Sequence, residues 1–220
     1  MFELKHRLLL VVLLLSGTAG NHRLGTLSAR ALEEVPSQTS ALVRLDVIEG
    51  STANYRVREQ LAGVEFPNDA VGTTQGVEGR LVLGPDNSVQ ADQSKLTVDL
   101  TTLKSDRDRR DNYLRRRTLE TERFPRAVFV PKRVQGLPSP IPGSGEARFQ
   151  LLGDMTIKDV TAEVTWDVTA SFSQSEIAGK AATKFGFDKF RLTKPSVMSV
   201  LSVDDEIKLE LNFRLKKSAN

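Results

Sequence analysis

The sequence predicts an all-β protein, an antiparallel sheet that either closes on itself as a barrel or folds into a sandwich. Three observations carry that expectation. Apolar and polar residues alternate with period two over most of the chain after residue 40, short turns separate the alternating runs, and the runs are long. Runs of about ten residues are tall for a small sandwich but natural in an up-and-down barrel, and about eight strands can enclose one small ligand.

Taken in order, the strands are expected at 42–48, 53–61, 77–83, 96–101, 127–132, 147–157, 160–170, 177–187 and 207–215. In 96–101, Leu96, Val98 and Leu100 share one face and Thr97, Asp99 and Thr101 the other. In 147–157, Ala147, Phe149, Leu151, Gly153, Met155 and Ile157 alternate with Arg148, Gln150, Leu152, Asp154 and Thr156. Val160, Ala162, Val164, Trp166 and Val168 then oppose Thr161, Glu163, Thr165, Asp167 and Thr169, after a two-residue hairpin at Lys158-Asp159. In 207–215, Ile207, Leu209, Leu211, Phe213 and Leu215 oppose Lys208, Glu210, Asn212 and Arg214. The stretch 137–145 holds three prolines and is a loop. The inward set is aliphatic and aromatic without a charge, so a cavity inside it would take an apolar guest. Patterning alone leaves open whether these side chains fill the core instead.

One stretch breaks the pattern. Residues 101–125 carry six arginines between 107 and 117, Arg107, Arg109, Arg110, Arg115, Arg116 and Arg117, among Asp106, Asp108 and Asp111, and end at Arg123-Phe124-Pro125. A short helical connection near 106–118 is expected there.

The ends and the composition narrow the classes. Residues 1–20 place Lys5 and Arg7 before the apolar run 8–15 and the small residues 16–20, the order of a secretory signal peptide. That run is short of the roughly 20 residues that span a bilayer, although retention as an anchor stays open. Residues 21–40 read as a flexible tether and 41–217 as the folded domain. There is no cysteine, and the only histidines are His6 and His22. Disulfides, thiol catalysis, His general-base chemistry and most transition-metal sites are thereby removed from the folded domain. Neither a cofactor nor a metal is expected. A net charge of +3 is too balanced to argue for nucleic acid.

Several motifs in order carry a resemblance. The run 103–114 leads through Arg123-Phe124-Pro125 to the strand at 127–130. Later come Gly153-Asp154-Met155-Thr156-Ile157-Lys158-Asp159-Val160-Thr161, and, earlier, Val71-Gly72-Thr73-Thr74 before Val77 and Gly79. Together they resemble the YceI-like family over about 42–216. Tyr113 stands where that family often has His, and Asp159 where its hairpin has Gly. The resemblance implies an extended antiparallel barrel, lipocalin-like in shape, that binds a polyisoprenoid or other long lipid in an apolar lumen. It also implies export to the periplasm or cell exterior, and no catalysis.

Three functions are weighed. The first is a non-enzymatic lipid carrier, store or scavenger with Val98, Leu100, Phe129, Phe149, Leu151, Val164, Trp166, Leu209, Leu211 and Phe213 as candidate wall residues. The second is carboxylate chemistry at Asp106, Asp108 and Asp111 or at Asp204-Asp205-Glu206. The arginines around the first cluster depress carboxylate pKa values and make poor general acids, and the second reads as a solvated turn before the last strand. The third is a module that meets a membrane surface or a partner through the arginine-rich connection, its barrel filled by side chains. Arg110, Asp111 and Tyr113 form either a clamp tying the connection to a strand end or a polar rim at the barrel mouth. Nucleic acid is not expected as a partner, and the oligomeric state is open, a dimer included.

Overall fold

The computed structural model describes residues 42–219. The expected leader at 1–20 and tether at 21–40 lie outside the described residues. Eleven strand segments form one sheet. They are β1 (Val43–Val47), β2 (Thr52–Leu61), β3 (Asn68–Thr74), β4 (Val77–Leu83), β5 (Lys95–Asp99) and β6 (Lys104–Ser105). After the helix α1 (Asp108–Tyr113) come β7 (Arg126–Gln135), β8 (Gly145–Ile157), β9 (Val160–Phe172), β10 (Glu176–Gly186) and β11 (Val200–Ala219).

The segments are pieces of eight long antiparallel strands closed into a barrel. β1 and β2 lie end to end along β11, with Val47 opposite Leu215 and Thr52 opposite Asn212. β3 and β4 continue one another in the same way, since Ala53 pairs with Thr74 and Val43 with Leu83. Buried hydroxyls replace the ladder where these strands break. The Ser51 hydroxyl donates to Ile48 O at 3.0 Å and accepts from Arg214 N at 3.0 Å. At the second break, Thr74 Oγ1 accepts from Gly76 N at 2.9 Å and lies 2.6 Å from Thr102 Oγ1. Every backbone group displaced by a kink needs such a partner. The ring β1-β4-β5-β7-β8-β9-β10-β11 closes through the pairing of β11 with β1, which leaves no edge at that level.

The two ends differ. At one, loops 84–94 and 136–144 fold across the opening. Asn87 Nδ2 donates to Leu137 O and Pro138 O, Ser139 Oγ donates to Pro85 O, and Leu137 and Ile141 pack on the core. Leu45, Leu81, Leu83, Phe172, Ile177 and Phe213 are buried in the packed core. At the other end β6 pairs with β3 while β7 pairs with β5, and the helical connection spans the gap between them. Leu100 N donates to Pro125 O at 2.8 Å and stitches the base of that excursion. α1 runs directly into a π-helical turn, Leu114–Thr118, where Leu119 N reaches back to Leu114 O at 2.8 Å.

Three expectations need correction, and one point that patterning left open is decided. β3 has no counterpart among the expected strands, because its inward residues are Ala70, Gly72 and Thr74, and no apolar stripe marks it. β11 begins at Val200, so Asp204-Asp205-Glu206 lies inside a strand, at a register shift between Val203 and Ile207, and not in a turn before it. The inward surface is not free of charge, because buried Glu59 of β2 joins it. Nor is the barrel filled, as the cavity below shows.

Candidate functional site

A cavity of about 540 Å³ occupies the barrel on the side of the helical connection. Its walls come from side chains that alternation turns inward. Among the ten expected wall residues, Val98 and Leu100 of the β5 region, Phe129 of β7, Leu151 of β8, Trp166 of β9, and Leu209 and Leu211 of β11 line it. Phe149, Val164 and Phe213 do not: Val164 and Phe213 are buried in the packed core, and Phe149 packs against that core half-buried. Phe129 and Trp166 meet edge to face, with centroids 6.2 Å apart and planes at 70°.

Arg110 and Asp111 tie the connection to strands, each through a partner that the sequence does not show. Arg110 does not pair with Asp111. Its Nη2 donates to Glu59 Oε1 of β2 at 2.5 Å, its Nη1 to Ser105 Oγ at 3.1 Å, and a further ion pair joins it to Asp106. Burial works against the Arg110 charge, but the hydrogen bonds to Glu59 and Asp106 outweigh it and raise its pKa. The same contact, Arg110 on Asp106, holds the Asp106 carboxyl below the ordinary carboxylate range. Asp111 faces β6, where both oxygens accept from Ser105 N at 3.0 and 3.1 Å and Oδ1 accepts from Ser105 Oγ at 2.6 Å. The two side chains thus fasten the helix to β2 and to β6 separately. Tyr113, half-buried, lines the cavity beside Arg107, Arg109 and Arg110.

Tyr55 and Trp166 line the cavity, and their polar atoms, Tyr55 Oη and Trp166 Nε1, are buried without a hydrogen-bond partner. The Ser105 hydroxyl beside Tyr55 donates to Asp111 and already accepts from Arg107 N and Arg110 Nη1. Burial, partly offset by the Arg110 charge, pushes the Tyr55 hydroxyl up to about 12.

Tyr55 and Glu59 escape notice from composition. Both share the inward phase of β2 with Ala53, Val57 and Leu61, and Glu59 is the one charged residue in that phase. A carboxylate set among inward apolar positions was the available signal for an ion pair across the mouth.

Four of the clustered carboxylates are held by ion pairs or hydrogen bonds. Asp106 is bound to Arg110, Asp111 is saturated by Ser105, and Asp205 and Glu206 pair with Lys194 and Lys184 at 3.2 and 2.9 Å. Among the described residues no cluster of three or more acidic or His side chains could hold a metal ion.

Comparison with known proteins agrees with this architecture. A family model described as the YceI-like domain matches residues 44–215. The fold is similar to a polyisoprenoid binding domain from Saccharophagus degradans implicated in plant cell wall breakdown, with a TM-score of 0.60 and 12% identity over 80% of this chain and 98% of that one. It is also similar to Burkholderia cenocepacia BcnA, with a TM-score of 0.56 and 14% identity over 74% of this chain and 95% of that one. The Campylobacter jejuni YCEI protein gives a TM-score of 0.53 and 16% identity over 72% of this chain and 91% of that one. At such identities the likeness is one of fold. A search of curated proteins found no match.

Proposed function

Because the chain belongs to the YceI-like domain family, we propose that it is an exported, non-enzymatic protein that holds a polyisoprenoid or other long-chain lipid in its barrel. The observation that carries this reading is the apolar cavity itself. About 540 Å³ has room for roughly eighteen groups the size of a water molecule at about 30 Å³ each. Each buried methylene contributes about 0.8 kcal/mol, whereas association costs on the order of 4–15 kcal/mol. Roughly ten buried carbons are therefore the minimum for a guest held by apolar walls, and the cavity exceeds that. The polyisoprenoid binding of the Saccharophagus degradans domain, which shares the fold, supports a ligand of this kind.

The order of charge, apolar run and small residues at 1–20 supports export.

Native mass spectrometry of the protein purified from its own host tests the reading. A co-purifying lipid, released on denaturation, is expected. Trp166 is the only tryptophan, so its fluorescence should also shift when a polyisoprenoid is added to stripped protein. An empty barrel that leaves Trp166 emission unchanged at saturating lipid would sink the proposal.

A further inference from the structure

We propose that the mouth of the barrel docks on an anionic lipid bilayer, with Phe66, Met198 and Leu201 entering the headgroup layer. Exposed apolar side chains normally scatter over a surface and need no explanation singly. Here they do not scatter. Among the described residues the exposed large hydrophobics are Val64, Phe66, Val197, Met198 and Leu201, and Phe66, Leu201 and Met198 are 70%, 67% and 100% exposed. All five sit on two segments, 62–67 and 197–201, that are joined at their bases. Ala62 N donates to Ser199 O at 3.0 Å, and Leu61 pairs with Val200 across β2 and β11. Val64 and Val197 also line the cavity, so the patch is continuous with the lumen.

Charge identifies the occupant. The helical connection forms another side of the same mouth, tied to the 187–199 loop where Thr118 Oγ1 donates to Thr193 O at 3.3 Å. Residues 104–118 hold seven Lys and Arg against three Asp, and 187–201 hold three against one. The whole chain has an excess of only +3, so its positive charge is concentrated at this opening. Glu65 in the 62–67 segment and the acidic run at 204–206 offset part of this charge; Lys184 pairs with Glu206, and Lys194, already counted in 187–201, pairs with Asp205. Apolar tips within a cationic rim are what binds the interface of an anionic bilayer. A second copy fits poorly, because a two-fold contact through this patch would set one arginine-rich rim against another. Docking of this kind opens the cavity onto lipid, so that a chain passes between bilayer and lumen without crossing water.

Flotation with vesicles tests the proposal, using the protein purified from its own host. Vesicles containing phosphatidylglycerol should carry the protein upward. Phe66→Ser, Met198→Ser and Leu201→Ser combined should weaken that binding at least about tenfold. Arg109→Gln with Arg116→Gln should weaken it roughly tenfold on anionic vesicles and leave binding to phosphatidylcholine unchanged. All five positions are exposed, so the melting curves should stay in place. Binding that ignores both sets of substitutions, or no binding at all, overturns the proposal. So does self-association that the three serine substitutions abolish, because a second copy would then cover the patch. Lipid content keeps this inference separate from the carrier function that it extends. An empty lumen with intact vesicle binding removes the carrier alone, and a filled lumen without vesicle binding removes the docking alone.

Discussion

Arg110 and Glu59 are 12% and 8% exposed at the side chain, and Arg110, which also pairs with Asp106, is the cation that neutralises Glu59. Removing one member of a buried pair strands the other charge, at a cost of about 3–5 kcal/mol, whereas replacing both by apolar groups is often neutral. Arg110→Ala should therefore lower stability in urea by about 3 kcal/mol, and Arg110→Leu combined with Glu59→Leu should recover most of it. An Arg110→Ala protein that keeps its stability but loses lipid would make Arg110 a ligand contact and not a clamp. Tyr55 gives a different test, because its raised pKa, near 12 against 10.0, means that the folded state favours the neutral phenol. The stability this provides is complete below pH 10 and is lost as pH rises toward 12, a loss on the order of 2 kcal/mol. Tyr55→Phe should abolish that part of the alkaline decline, read as the difference between the two proteins' unfolding curves. Of these residues the sequence marks Arg110 through its motif. Glu59 is legible only once the phase of β2 is known, and the Arg110–Glu59 contact spans 51 residues that no local pattern connects.

Among the elements, β8 and β9 were legible except for two residues at the far end of each, because eleven residues of alternation and a two-residue turn leave a register little freedom to slip. β3 was not, and Gly72 explains why. A Cβ there would run into the Tyr55 ring, so the strand spends an inward position on glycine and forfeits the hydrophobic signal. The same trade recurs at Gly153 of β8, where a Cβ would strike Val130 O and Pro131 of the neighbouring strand. Backbone atoms cannot swing aside as a side-chain tip can. Gly153→Ala should therefore force β7 and β8 apart and cost about 1–3 kcal/mol. Amide exchange should quicken along β7 and β8 before the rest of the barrel. Uniform loss across all strands would show that the close approach is not local.

For the molecule as a whole, the question is which part of the inward surface is core and which is wall. The sequence could not separate them, since Leu211 and Phe213 occupy the same face of the same strand two residues apart. Only the closure of one end by loops 84–94 and 136–144, and the propping of the other by the helical connection, decides that Phe213 is packed and Leu211 borders a void. Packed interiors and voids respond oppositely to added volume. A larger side chain in a filled core forces its neighbours off their rotamers at about 1–3 kcal/mol, whereas the same addition into empty space gains contacts. Leu211→Trp should thus leave the melting temperature unchanged or raise it, while Phe213→Trp should lower the stability by about 1–3 kcal/mol. Because the new indole would occupy the space meant for the guest, Leu211→Trp should also reduce co-purifying lipid in native mass spectra at least about tenfold, the equivalent of some 1.4 kcal/mol. Phe213→Trp should still carry its lipid. If both variants lose stability alike, the interior is a single packed core and the lipid must be held elsewhere. If Leu211→Trp is stable and keeps its full complement of lipid, the chain lies on the opposite wall, near Phe129 of β7.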